Sequence, residues 1–506
     1  MHMKKLTSII LLLALLLTCT ACGGDTDSGT PDADISPESG EAARDTTAAE
    51  PESTALKDNL PDGLDFSGKK VTFLYRSELL EEFYTEEATG DIVEDAIYQS
   101  ILSVEERLGA EIVCNAQPGH MLAARAPYKK YIVNSIMADD DSFDWADVMI
   151  ANAGQYMQDG YCMNLLGHKY LDFEMPWYAG GLEDSMALYG KLCFLTGSVS
   201  LGSLKNTYCI YFNPQTAENY GIGDLYAIVD AGDWTLDKVM EISEKASQDV
   251  NGDGKWDGED KLGFLSHNYN HLYGFIGSCD IRMFEKDADG IYRYVFGSER
   301  DVSVCEKLYK LFHGTPGAFD CNLSDTTESE VPAFNALTGS FIEGNILMMT
   351  AQLDEAVAYL RDMDDPYGLL PFPKYDDKQE DYITISRCAH NSFILAATCN
   401  DPDMAGAVME ALSASNYDKV FPAYFETAMK VKYARDLDSA RMLDLLRSST
   451  VMNFEYIYNY SIGNPTIDLF LRYIRTENPS SLIEASRDKI TATTEKYFSI
   501  IEALEI

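Results

Sequence analysis

The stretch KVTFLY, residues 70–75, reads as a strand, and the chain on either side of it is read from there. Its β-branched and aromatic residues stand in a short apolar run, a strand signature when the run is too short for a helix. Residues 91–108 follow, with apolar side chains at Ile92, Ala96, Ile97, Ile101, Val104 and Leu108, the spacing of one helical face. A second strand at 111–114, a helix at 128–138 and a third strand at 145–150 (WADVMI), closed by a turn at Ala153-Gly154, complete an alternation. Strand and helix in turn predict an α/β fold with a mostly parallel sheet covered on both faces. Ligands of such sheets sit beyond the carboxyl ends of the strands, which makes Tyr75, Arg76, Asn152 and Tyr156 candidate contacts.

Further along, residues 191–199 (KLCFLTGSV) and 207–213 (TYCIYFN) read as strands, and a helix starts at Thr216. Thr235 is placed to cap a helix over 236–248. A strand at 262–266 exits into 267–273, where His267, Tyr269 and Tyr273 are candidate ligand contacts. His267 and His271 are four apart, as on a zinc helix, but Asn268 stands where a metalloprotease would carry its glutamate. A buried strand is expected at 345–349, and 366–375 (PYGLLPFPKY) is extended and bounded by proline. After another strand at 391–397 the chain is almost entirely helical, with helices expected at 404–415, 417–432, 439–448 and 478–504.

Between the helix that Thr235 begins and the strand at 262 lies DVNGDGKWDGED, residues 249–260. Oxygen-bearing side chains occupy loop positions 1, 3, 5, 9 and 12: Asp249, Asn251, Asp253, Asp257 and Asp260. Lys255, at position 7, would offer its backbone carbonyl, and Gly254 at position 6 allows the sharp turn. The spacing is that of an EF-hand loop and predicts a structural Ca2+ that staples the connection. A single loop gives no basis for the paired opening of a calcium sensor.

The formal net charge of −43 argues against nucleic acid and against docking to anionic lipid through a basic patch. Lys4 and Lys5 precede an apolar run from Ile9 to Leu17 and then Thr20-Ala21-Cys22-Gly23, the order of a secretory signal ending in a lipobox. The reading is a lipoprotein lipidated at Cys22, with 1–22 removed as signal peptide and 23–61, rich in Asp, Glu, Ser, Thr, Ala and Gly, serving as a disordered acidic tether. The nine cysteines after Cys22 are scattered and sit in apolar company, as free buried thiols do.

Signatures of catalysis are missing: no GxGxxG follows a strand, no Walker loop occurs, and Ser198 stands where GxSxG would need a glycine before Ser200. Aromatic residues at strand exits, with Asn, Asp and Arg nearby, suit sugar rings and their hydroxyls instead. The motifs KKVTFLYRS (69–77), AIYQSILSVEERLGAEI (96–112), SIMADDDSFDWADVMI (135–150), DGYCMNLLGHKYLDFEMPWY (159–178), TYCIYFNPQTAENYGI (207–222), GDWTLDKVMEISEKASQDVNGDGKWDGED (232–260) and YGLLPFPKY (367–375) together resemble one family. It is that of the extracellular solute-binding lipoproteins of bacterial ABC importers, family 1, the maltose-binding-like type common in clostridial sugar uptake.

The resemblance implies a type II periplasmic-binding-protein-like fold: two α/β lobes joined by crossing hinge segments, with a helical C-terminal region. One lobe would take 62–195 plus about 372–413, the other 196–371 plus about 414–506, with crossings near 196–200, 366–373 and 413–416. It adds Ser198, Phe372 and Tyr375 to the candidate contacts, and implies a carbohydrate ligand, an ABC permease as partner, a monomer, and attachment to the outer face of a Gram-positive-type cell membrane. No enzymatic activity is expected. The alternatives are a surface lipoprotein enzyme acting on polysaccharide, and a receptor for a peptide or other non-sugar solute on the same scaffold.

Overall fold

Strand and helix alternate from the first described residues, because the apolar periodicity changes from run to spaced stripe and back. The structure, a computed structural model, describes residues 57–266, 268–321, 337–360, 363, 366–425 and 437–506. The expected signal peptide and Cys22 lie outside them, as does most of the tether. Residues 58–60 already belong to the folded body: Asp58 accepts from both terminal nitrogens of Arg107 (2.5 and 2.6 Å), and Leu60 is buried.

The strands are β1 Lys69–Arg76, β2 Ala110–Gln117, β3 Trp145–Met149, β4 Tyr208–Phe212, β5 Leu262–Ser266, β6 Phe284–Lys286, β7 Tyr292–Tyr294, β8 Ala318–Asp320, β9 Ile346–Gln352, β10 Gly368–Leu370 and β11 Asn391–Leu395. They form a sheet of order β11-β3-β1-β2, a second of order β10-β4-β9-β5-β8, and the small β6-β7 pair. In the first sheet β1, β2 and β3 are parallel, and β11 runs antiparallel to β3. The second is mixed: β5 is parallel to β8 and β9, while β4 is antiparallel to β9 and β10.

Helix α1, Ile92–Leu108, starts where Asp91 accepts hydrogen bonds from Val93 N (2.9 Å) and Glu94 N (3.3 Å), and ends at Gly109 in the left-handed region. It buries Ile97, Ile101, Val104 and Leu108 against the sheet, each worth roughly 1.5–3 kcal/mol of apolar burial. Helix α2, Leu122–Ala138, begins six residues earlier than its apolar periodicity suggests and carries Pro127 inside. Residues 150–158 form helix α3, Ile150–Gln158, where a turn was expected at Ala153-Gly154. Gly154 serves close packing there: a Cβ would meet the Tyr458 ring at 2.7 Å.

Residues 191–199 are buried but build no strand; they pair one residue at a time, Leu195 with Phe393 and Gly197 with Tyr178. This is the expected crossing near 196–200. Ser198 Oγ donates to Ser413 O (2.7 Å), and Asn416 Nδ2 donates to Val199 O (2.9 Å), so that crossing meets the one near 413–416. The crossing expected at 366–373 lies elsewhere. β10 pairs with β4, and Lys374 exchanges backbone bonds with Trp234 and Leu236, which keeps this apolar, proline-bounded segment on the second sheet. The return runs through 384–390: Tyr208 N donates to Ile385 O, Arg387 N to Asn206 O, and Asn391 then opens β11 in the first sheet.

Candidate functional site

Three chain ends meet at one edge of the first sheet. β1 and β3 finish there because they are parallel, and the residues that enter β11 lie there because β11 is antiparallel to β3. Arg76, the last residue of β1, grips Asp147 of β3 with a planar fork: Nε to Oδ2 at 2.8 Å and Nη2 to Oδ1 at 3.0 Å, both side chains buried. Its Nη1 donates to Ala389 O (3.3 Å), and Asn391 Nδ2 donates to Asp147 Oδ1 (3.0 Å). One ion pair thus rivets β1, β3 and the turn before β11, and it satisfies Arg76.

Beside it opens a cavity of about 210 Å³ whose lining includes Arg76, Gly119, Arg125, Lys129, Asn152 and Tyr156. Asn152 stands on the first turn of α3, and Lys129 Nζ lies 5.5 Å from the centre of the Tyr156 ring. Gly119 is required, since a Cβ there would meet the Tyr128 ring at 2.7 Å and Arg76 Cγ at 2.8 Å. The turn after it binds Glu78, whose carboxylate accepts from Gly119 N (2.9 Å) and His120 N (3.3 Å). Burial would lift the Glu78 carboxyl, but these backbone donors outweigh it and hold it down at about 2. Arg125 Nε donates to His120 O (2.9 Å). Burial, then Arg76, Arg387 and Arg125, push His120 down to about 4, and its Nδ1 is buried without a hydrogen-bond partner.

Arg387, on the turn before β11, lies outside the cavity lining but within electrostatic reach of His120 beside it. Its backbone is held on both sides, N–H to Asn206 O (2.9 Å) and carbonyl accepting from His390 N (3.2 Å). Around its guanidinium stand Tyr208, Tyr456, Cys388 and Tyr269. Tyr208 and Tyr456 are fixed by a 2.9 Å bond between their hydroxyls, and Tyr208 OH also reaches Asn270 O at 2.7 Å. Tyr269 is half-buried, and Tyr460, 38% exposed, faces Cys388, Arg125, Tyr269 and Arg387. The edge therefore brings cationic groups near tyrosines of β4, of the turn after β5 and of the C-terminal region.

Of the expected contacts, Arg76, Asn152 and Tyr156 line one cavity, and Tyr269 stands among the groups around Arg387 and Tyr460. Tyr273 is 2% exposed; its ring lies 5.4 Å from that of Tyr456 and its hydroxyl donates to Ile467 O (2.9 Å). Tyr75 is wholly buried, stacked on Phe83 with its hydroxyl 3.0 Å from Ser200 Oγ. Phe372 packs edge-on against Phe275 and lies 6.0 Å from the Tyr208 ring, and Tyr375 bonds Ser303 under Lys307, both on the second sheet's side and outside the cavity lining. His267 lies outside the described residues. His271 is core, with Nε2 3.0 Å from Glu355 Oε1 and Nδ1 3.2 Å from Thr350 Oγ1.

Ser198 lines a second cavity, of about 200 Å³, at the hinge, together with Trp177, Tyr178, Thr207, Ser386 and Asn453. Behind it Glu410 accepts from Trp177 Nε1 (3.2 Å) and Tyr178 OH (2.5 Å), and burial pushes its carboxyl up to about 7. In the loop at 249–260 the side chains turn back on their own backbone. Asp249 accepts from Gly252 N and Gly254 N, Asn251 from Asp253 N, Asp253 from Lys255 N, Asp257 from Glu259 N, and Asp260 from Val250 N and Asp257 N. Gly254 turns at φ 77°, as a sixth-position glycine should, and Gln248 and Lys261 bridge the neck. Among the described residues no three His, Cys, Asp or Glu side chains stand together as a metal site. Among the described residues the nine cysteines after Cys22 form no disulfide, and seven of them are buried.

Reading strand exits alone missed His120, Arg125, Lys129, Arg387 and Tyr460. The available signal was charge: in a chain of 82 acids and 39 Lys and Arg, an arginine in a turn ahead of a buried strand is conspicuous.

Two α/β sheets joined by crossing segments, with a cavity at the carboxyl edge of one, define the periplasmic-binding-protein-like fold. Comparison with protein-family models and with curated proteins finds no match. Among solved structures the chain is similar to the galacto-N-biose-/lacto-N-biose I-binding protein of a Bifidobacterium longum ABC transporter, in complex with lacto-N-biose. Identity is 11%, over 86% of this chain and 98% of that one, with a TM-score of 0.55. It is also similar to an extracellular solute-binding protein from Staphylococcus aureus in complex with maltose (13% identity, 86% and 98% covered, TM-score 0.54). A third is an ABC substrate-binding protein of Listeria monocytogenes in complex with cycloalternan (12%, 85% and 99%, TM-score 0.52). At these identities the likeness carries the fold. Among the described residues no helix is long and apolar enough to cross a membrane.

Proposed function

We propose that this protein is the extracellular substrate-binding receptor of an ABC transporter, capturing an oligosaccharide in the cleft and delivering it to a membrane permease. The observation that carries the reading is the cavity at the ends of β1 and β3, with Tyr269 and Tyr460 beside the arginines of that edge. Tyrosine faces suit the apolar faces of sugar rings, and Arg and Asn suit their hydroxyls. Solved structures of the same fold hold sugars, which supports the choice of ligand class. Binding would favour closure about the crossings at 196–200, 384–390 and 413–416, with no covalent step. Lipidation at Cys22 would keep the receptor at the cell surface beside its permease.

The test is a thermal-shift panel of mono- and oligosaccharides against the purified chain. A ligand that binds only the folded form raises its stability as RT ln(1 + [L]/Kd). A clear upward shift with one sugar class is expected; a flat sugar panel beside a positive peptide panel, or turnover of a polysaccharide, would replace the reading with one of its alternatives. The loop at 249–260 fits the same picture as a calcium clip before β5. Chelator should lower the melting temperature and Asp249→Ala should abolish that response; a chelator-insensitive protein removes the clip from the proposal.

A further inference from the structure

We propose that the captured carbohydrate is anionic, carrying a carboxylate or sulfate that Arg125 and Arg387 bind together. The inference rests on the receptor reading and names the substrate class of the same site. It starts from charge. The chain carries 82 acids against 39 Lys and Arg, yet cations gather at this edge. Arg76 is cancelled by Asp147. Glu78 is committed to the backbone donors of Gly119 and His120, and burial pushes Asp354, the acid on which Arg387 acts, up to about 7. Arg125 and Lys129 line the cavity, and among the described residues neither they nor Arg387 make an ion pair.

The hydrogen-bond account agrees. A guanidinium has five N–H donors and no acceptor. Arg125 uses its Nε on His120 O, and Arg387 gives none of its side-chain donors to a described residue. The remaining donors are committed to no group among the described residues and are open to an acceptor that arrives from outside. The two arginines come from different elements, α2 and the turn before β11, and both act on His120, Cys388 and Tyr460. The planar fork matches two oxygens of a carboxylate or sulfate better than a lone sugar hydroxyl. Tyr460 and Tyr269 at its side provide the ring platform that makes the ligand a charged sugar and not a bare anion.

The experiment titrates the purified full chain calorimetrically with trigalacturonate, a sulfated disaccharide and neutral maltotriose, each in low and high NaCl. Binding of a charged sugar, with affinity that falls as salt rises, is expected; which of the two binds identifies the anion. Arg387→Gln and Arg125→Gln should each weaken it about ten- to hundredfold, and Arg387→Lys should recover only part of the loss. Unchanged melting temperatures of the apo variants separate lost binding from lost folding. Maltotriose binding with no salt dependence and no response to either variant would overturn the anionic inference and leave the receptor standing. Failure of all three sugars would remove the inference together with the reading beneath it.

Discussion

The hinge and the cleft are both rich in polar side chains, but they use them in opposite ways. At the hinge most polar groups are bonded within the chain: Thr196 Oγ1 to Asn391 O (2.9 Å), Ser198 Oγ to Ser413 O, Ser100 Oγ to Asn416 Oδ1 (2.5 Å), and Trp177 and Tyr178 to Glu410, with Ser413 Oγ, Asn391 Oδ1 and His390 Nε2 the buried exceptions. In the cleft Arg125 keeps terminal donors unspent, Arg387 keeps its whole fork, and Tyr460 stays exposed. Bonds made inside the chain contribute to folding, while donors left over contribute only when a partner arrives. Substitutions in the two regions should therefore move different measurements.

The largest effect on folding is expected at Gly197. Its φ is 150°, and a Cβ would lie 2.1 Å from Trp177 O, backbone that has no room to move aside. Gly197→Ala should cost at least about 3 kcal/mol, read from the urea midpoint, or leave no folded protein. A loss under about 1 kcal/mol would mean that the crossing is pliant and the contrast with the cleft overstated.

A second test concerns Glu410. Burial lifts its carboxyl to about 7, above the ordinary 4.5, with Tyr178 and Trp177 donating against that trend and Asp58 adding to it. The folded state therefore holds a proton that the unfolded chain has released. Its contribution is present below about pH 4.5 and is lost as pH rises through 7. Glu410→Gln should match the parent near pH 5 and gain on it toward pH 8, by on the order of 2 kcal/mol. Parallel pH profiles for parent and variant would show that Glu410 is ionised and served by its donors throughout. His120 and His390, pushed below their ordinary value mainly by burial, act in the opposite sense below pH 6.5, so the difference between variant and parent is the quantity to follow.

The same contrast decides what sequence reading could reach. β1, α1 and β3 were legible because periodicity and caps agreed at Asp91, Ile101 and Trp145. The start of α2 was hidden by Pro127 and by the missing side-chain cap at Met121. Residues 191–199 look like a strand because they are apolar, but this crossing segment pairs with the first sheet only through the single Leu195–Phe393 bridge and extends neither ladder. At the site, the rule of strand exits found Arg76, Asn152 and Tyr156. It could not find Arg387, because an antiparallel strand brings its entrance, not its exit, to the carboxyl edge. The crossing expected at 366–373 was misplaced for a related reason: proline and aromatic spacing describe an extended chain without saying which sheet it joins.

The smallest effects on folding belong to the cleft, and their smallness is what separates the two regions. Tyr460 is 38% exposed, and Arg387 is half-buried with no ion pair among the described residues. Tyr460→Ala should change apo stability by no more than about 0.5 kcal/mol, since little burial is lost. Arg387→Gln should change it by no more than about 1 kcal/mol, because Arg387 makes no ion pair among the described residues and Asp354, the acid it acts on, is lifted to about 7 by burial. The urea midpoint of the ligand-free protein reads both. A drop of more than about 2 kcal/mol on Arg387→Gln would make that arginine a structural partner of the tyrosines around it, like the groups at the hinge, and would withdraw it from the binding site.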